Sequence, residues 1–257
     1  MTKLTTLRSG KWTSGILYLV CVIAASAMIG CKAGNKSTTT SDAARPAEAG
    51  VEKVKPAPGT GNVQGKVFYN SKPAENIEVK LCEKFSRFVS GCGGQILTAR
   101  TDKDGEYVIT NVAPKTYEAL TARVFDTDSS IFATTGLAGI SSAKYEVLAD
   151  KTFFVNPIHL FKSDLKTLSP KAGAKVTAQG LELKWEAYPD TAYYKFSTYA
   201  EDPSVTSPYT NERVEATSFT LDKPLPKGIY RFQVTAYNRD DRKLSESSND
   251  VKFTVSQ

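Results

Sequence analysis

Hydrophobic and polar residues alternate with a period of two along most of the chain beyond residue 61. Val63, Gly65, Val67 and Tyr69 interleave with polar positions, and Ile77, Val79 and Leu81 interleave with Glu78, Lys80 and Cys82. Successive side chains of a strand point to opposite faces, so this pattern predicts half-buried strands. Further strands are predicted over Gln95–Thr101, from Tyr107, over Tyr117–Phe125, Lys144–Leu148 and Lys151–Leu160, with a loop over Glu83–Gly94. Turn chemistry punctuates them at Asn70–Pro73, Thr101–Gly105 and Asn111–Pro114.

A second group of alternations begins after residue 163. Leu181, Leu183 and Trp185 share one face of a strand. Tyr194, Phe196 and Thr198 share one face of the next, with Tyr193, Lys195 and Tyr199 on the other. Ser218–Leu221 reads as a short strand. Tyr230, Phe232, Val234 and Ala236 form the inward face of the longest strand, and Val251, Phe253 and Val255 that of the last. No helical period of useful length occurs in either group. The predicted fold is all-β, as two tandem β-sandwiches over 61–162 and 163–257.

The chain before residue 61 follows a different pattern. Lys3, Arg8 and Lys11 precede an uncharged run from Gly15 to Ile29, closed by Gly30 and Cys31. A basic flank, a short apolar run and a small-residue end make a secretory signal peptide over 1–30. The run is shorter than the roughly 20 residues of a spanning helix, and no basic stop-transfer cluster follows. A retained anchor is therefore the weaker reading. Lys32 to Thr60 is rich in Ala, Thr, Ser, Gly, Pro and Lys, with Val51 and Val54 its only large aliphatics. Such a stretch predicts a disordered spacer.

Met28-Ile29-Gly30-Cys31 resembles the lipobox of bacterial lipoproteins, departing from it at Met28, where the family prefers Leu. The resemblance implies cleavage before Cys31 and a diacylglycerol group carried on its thiol, with palmitate as one of the chains. It also implies a membrane partner held through that lipid and a place in the bacterial cell envelope. Lys32 stands where an Asp would favour the inner membrane, so the outer membrane is expected in a diderm source.

Gly65-Lys-Val67, Lys72-Pro73, Ile77–Leu81, Thr101-Asp-Lys-Asp-Gly-Glu-Tyr-Val-Ile109 and Asn111–Tyr117 together resemble the carboxypeptidase regulatory-like domains. These are prealbumin-like sandwiches that accompany other proteins as spacer or binding modules. Lys115 stands where that family usually has Gly. Trp185, Tyr194-Lys-Phe196 and Gly228–Asn238 resemble a fibronectin type III domain. That resemblance implies Tyr230 as the tyrosine-corner residue, with its hydroxyl bonded to nearby backbone, and Trp185 as a core anchor.

Charge and cysteines refine this picture. The net charge is +6, but residues 61–160 balance at eleven of each sign and 161–257 hold fourteen bases against thirteen acids. Nearly all of the excess lies before residue 61, so no nucleic-acid partner is expected. Cys82 and Cys92 form an even pair in an exported chain and are expected as a disulfide; two thiols without a nearby histidine make a poor metal site.

Candidate chemistry is sparse. The single histidine, His159, sits among Pro157, Ile158 and Leu160, a structural strand context. Asp102, Asp104 and Glu106 invite a calcium reading, but their spacing fits a solvated hairpin turn better. No catalytic residue, metal or cofactor is expected. The chain reads as a non-enzymatic binding or scaffold module with an unknown envelope protein or glycan as partner. The alternative is a carbohydrate-binding lipoprotein, with Tyr193 and Tyr199 as candidate ligand contacts.

Overall fold

The computed structural model describes residues 50–88, 91–135, 141–248 and 251–256. The signal peptide, Cys31 and residues 32–49 of the spacer lie outside them. The described chain is all-β, with no helix and with two separate hydrophobic cores, as the alternation predicts.

The first core is closed by two sheets. Gly61–Tyr69 pairs antiparallel with Glu106–Val112 and takes Thr152–Phe154 and Ile158–Leu160 in parallel. The expected strand over 151–160 is thus broken in two around Pro157, which has no N–H to give a ladder. The facing sheet runs Gly91–Arg100, Glu78–Ser86, Ala119–Arg123, Ser130–Phe132, all antiparallel. Val63, Val67, Val79, Leu81, Ile109 and Leu120 meet between the two sheets.

Close approach explains two glycines here. A Cβ on Gly65 would stand 2.6 Å from the buried Tyr107 hydroxyl. Gly105 has φ +70°, and a Cβ there would meet the Val67 carbonyl oxygen at 2.5 Å.

Two further expectations for this half change. The Glu83–Gly94 loop is mostly strand: Glu78–Ser86 and Gly91–Arg100 form one long hairpin, with Phe85 opposite Cys92. Cys82 and Cys92 are disulfide-bonded across it, with a Cα–Cα distance of 5.3 Å. The sheet partner overrides the poor strand propensity of Gly91-Cys-Gly-Gly94.

The spacer also ends earlier than residue 60. The Lys53 N–H donates to Gln64 Oε1 (3.0 Å), while the side-chain amides of Asn62 and Gln64 donate to the Val54 and Val51 carbonyls (2.8 and 2.9 Å). Lys53 Nζ pairs with Asp102 at 2.8 Å and with Glu106. Few large apolar residues are needed here, because the strand's own polar side chains satisfy the strap's backbone.

In the second half, Thr167–Ser169, Glu182–Trp185 and Ser218–Thr220 form a three-stranded sheet. The opposing sheet is built on Tyr193–Ala200 and Gly228–Tyr237, flanked by Glu212–Val214 and, on the other side, by Lys243–Ser247 and Lys252–Ser256. Trp185, Tyr194, Phe196, Phe232 and Phe253 fill the space between. Trp185 packs edge-on to Tyr194 with ring centroids 5.6 Å apart, as a core anchor does.

The backbone bond expected of the Tyr230 hydroxyl is not formed. The Tyr230 ring stacks on Phe253 inside the core, and its hydroxyl is buried with no hydrogen-bond partner among the described residues. Tyr209 makes the backbone bonds instead. Its hydroxyl donates to the Lys223 carbonyl (2.9 Å) or to Asp222 (2.8 Å) and accepts from the Lys223 N–H (2.6 Å).

A single residue separates the halves. Ile158–Leu160 ends in the first sandwich's sheet, and Lys162–Leu165 already runs parallel to Lys243–Ser247 in the second, leaving only Phe161 between.

Candidate functional site

Three regions could carry function: the junction, the outer face of the second sandwich and a cleft in the first.

The junction is built on the turn after Gly61–Tyr69. Asn70 and Ser71 both take positive φ, 51° and 59°, the geometry of a two-residue hairpin turn. This turn aims both side chains at the other half. Asn70 Nδ2 donates to Asp190 (2.8 Å) and Ser71 Oγ to Asp240 (2.5 Å), while Asn238 Nδ2 donates to Asn70 Oδ1 (2.9 Å). Tyr69 and Tyr188 meet hydroxyl to hydroxyl. Phe125 is held at φ 51°, uncommon for a bulky residue, with its ring edge-on to Tyr69 (5.1 Å) and Lys162 Nζ 5.1 Å from its centroid. Burial, aided by Tyr69 and Asp164, raises the Tyr188 hydroxyl far above the usual phenol range.

The outer face of the second sandwich separates the two candidate tyrosines. Tyr199 is 49% exposed and lies opposite Arg231 on the neighbouring strand. Tyr193 is only 3% exposed, which corrects its assignment as an open ligand contact. It stacks on Tyr237 (5.1 Å, 4° between planes), is capped by the Arg213 guanidinium at 3.7 Å and donates to Asp241 (2.8 Å). Burial and Asp241 push its hydroxyl up to about 12. The strand places Tyr193 on the outward face as expected, but cross-strand neighbours cover it.

The cleft, of about 490 Å³, opens in the first sandwich. Its apolar wall includes Leu120, Ile131, Phe132, Phe153 and Val155, and Thr134, Asn156 and His159 contribute polar groups. His159 stacks on Phe68, with ring centroids 5.5 Å apart. Burial, and secondarily Arg242, lowers its imidazole below the ordinary value, so it is neutral at pH 7. Sequence patterning did not mark this cleft, because its wall is assembled from segments as far apart as Leu120 and His159.

The acidic turn behaves as a turn. Asp102 Oδ1 accepts the N–H groups of Asp104 and Glu106, both at 2.9 Å. Among the described residues, no group of three or more His, Cys, Asp or Glu is placed to hold a metal ion.

No family model matches the chain, and no curated protein matches it. Solved structures similar to it include the FN1–FN3 domains of chicken CNTN1 (13% identity, 79% of this chain and 69% of that one, TM-score 0.28). The fibronectin(III)-like modules of Clostridium thermocellum CbhA match at 17% identity over 76% of this chain and 91% of that one, TM-score 0.29. The major pilin SpaD of Corynebacterium diphtheriae matches at 11% identity over 74% of this chain and 64% of that one, TM-score 0.28. Likeness at these scores adds no argument of its own; the all-β fold rests on the chain's own sheets and cores.

Proposed function

We propose that this chain is a lipid-anchored, non-enzymatic arm of the bacterial cell envelope that presents two docked sandwiches to a partner. In this reading residues 1–30 export the chain, Cys31 carries the lipid, and a carboxypeptidase regulatory-like sandwich precedes a fibronectin type III-like one. The observation that supports a scaffold is the one-residue connection at Phe161, reinforced by the Asn70–Asp190 and Ser71–Asp240 bonds. Domains that must move freely are joined by longer polar linkers.

Two measurements test this. Palmitate label should enter the wild-type chain and be lost in Cys31→Ser; unchanged membrane association of that variant would refute the anchor. Spin labels at Lys103→Cys and Lys227→Cys should give one narrow distance distribution. A broad one would refute the docked arm.

Carbohydrate binding remains the second reading, supported by exposed Tyr199 beside Arg231. Binding on a glycan array that Tyr199→Ala abolishes would establish it, and an array without a hit would remove it.

A further inference from the structure

The cleft in the first sandwich has a composition that neither a spacer nor a sugar-binding site calls for. A surface that only holds neighbours apart needs no concavity. A sugar site needs a high density of polar groups, whereas most of the residues around this cleft are apolar. Its volume falls in the range of small-molecule pockets, roughly 300–1,000 Å³, which are mainly apolar with a few placed polar groups.

Charge narrows the occupant. Among the described residues, no Asp, Glu, Lys or Arg lines the cleft, and its one titratable base, His159, is neutral at pH 7. An ionised ligand would leave water without a counter-charge, at a cost of several kcal/mol or more.

One buried polar residue gives direction. Tyr145, 3% exposed, belongs to the lining and packs against Phe153 at 5.7 Å between ring centroids; its hydroxyl has no hydrogen-bond partner among the described residues and is not one of the sealed, unsatisfied polar atoms, so it keeps contact with solvent. Burial pushes this phenol up to about 12, so it remains a protonated donor across the physiological range. A hydroxyl that keeps solvent contact and has no protein partner is free to donate to an acceptor that a ligand brings, for the net worth of one hydrogen bond.

We infer that this cleft is a binding site for an uncharged, predominantly apolar small molecule that brings a hydrogen-bond acceptor to the Tyr145 hydroxyl. The site is independent of the scaffold reading: the arm could be docked and the cleft unused, or the reverse.

Three matched probes test this by calorimetry on the full chain in detergent, with empty micelles subtracted. Coumarin carries a neutral ring pair and a carbonyl acceptor. Coumarin-3-carboxylate adds a charge, and naphthalene removes the acceptor. Coumarin should bind saturably at one per chain, and the carboxylate at least about tenfold more weakly. Tyr145→Phe should weaken coumarin about fivefold, the worth of one hydrogen bond, and leave naphthalene unchanged. Ala133→Trp, at an exposed position of the lining, should block both without lowering the melting temperature. Absence of saturable coumarin binding, equal binding of the carboxylate, or binding that survives Ala133→Trp would each overturn the proposal. If Tyr145→Phe melts early, the coumarin-to-naphthalene affinity ratio of the wild-type chain decides the acceptor claim; a ratio near one rejects it.

Discussion

The hydroxyl oxygens of Tyr69 and Tyr188 lie 3.3 Å apart, joining the end of the first strand of one sandwich to the loop before the central strand of the other. These residues are 119 positions apart in sequence. Around them the Asn70–Ser71 turn spends both of its side chains on the second sandwich.

Glycine at both positions of that turn isolates the junction. It accepts both positive φ angles, so the hairpin stays while the inter-sandwich bonds go. The double variant Asn70→Gly/Ser71→Gly should lose about 1–2 kcal/mol and broaden the Lys103–Lys227 spin-label distance. A distribution as narrow as that of the parent would mean that these bonds do not hold the halves.

The strap should be released by acid. Lys53 holds the Asp102 and Glu106 carboxyls below their ordinary values. Because folding depresses both, their contribution is complete above the unfolded carboxylate range of about 3.9–4.3 and fades as pH falls through the lower folded values. Amide exchange at Val51–Val54, corrected for its intrinsic pH dependence, should rise below about pH 4. Lys53→Ala should give the same rise at neutral pH, and exchange insensitive to both would contradict the ion pair's role.

Two tyrosines in the second core should respond oppositely to loss of their hydroxyls. Tyr230→Phe removes a buried hydroxyl without a partner among the described residues, so stability should stay level or increase by up to about 1 kcal/mol. Tyr209→Phe strands the Lys223 N–H and should cost about 1–3 kcal/mol. Urea midpoints read both, and a large loss in Tyr230→Phe would mean that its hydroxyl does make a stabilising bond.

Reduction of Cys82–Cys92 opens a loop with a sequence separation of 10. On the chain-entropy model it should destabilise the first sandwich by about 2.5–3 kcal/mol. Denaturation with and without reductant, followed by tyrosine signals of the first half, measures this. The second core, read by Trp185, should shift less.

Much of this fold was legible because alternation is local. Leu183 and Trp185, Tyr194 and Phe196, and Tyr230 through Ala236 each report their own burial by position along a strand. What stayed hidden depends on distant chain. Tyr193 sits on the outward face, yet Arg213 and Tyr237 cover it from other strands. Cys92 lies in a glycine-rich run that becomes strand through its partner Phe85. Residues 50–60 have spacer composition, and what binds them lies elsewhere in the chain, in the side chains of Asn62, Gln64, Asp102 and Glu106. The cleft needs segments from Leu120 to His159, and no local period marks it.

The connection at Phe161 also limits how the protein can fail. One residue has two soft torsions, φ and ψ, so few relative poses are open to sandwiches whose strands end at Leu160 and resume at Lys162. The polar contacts of the turn then select one pose from a small family rather than hold together bodies that would drift apart. Damage to those contacts should produce wobble about a fixed pivot, and an inserted residue at Phe161 should disturb the alignment more than the loss of any single bond.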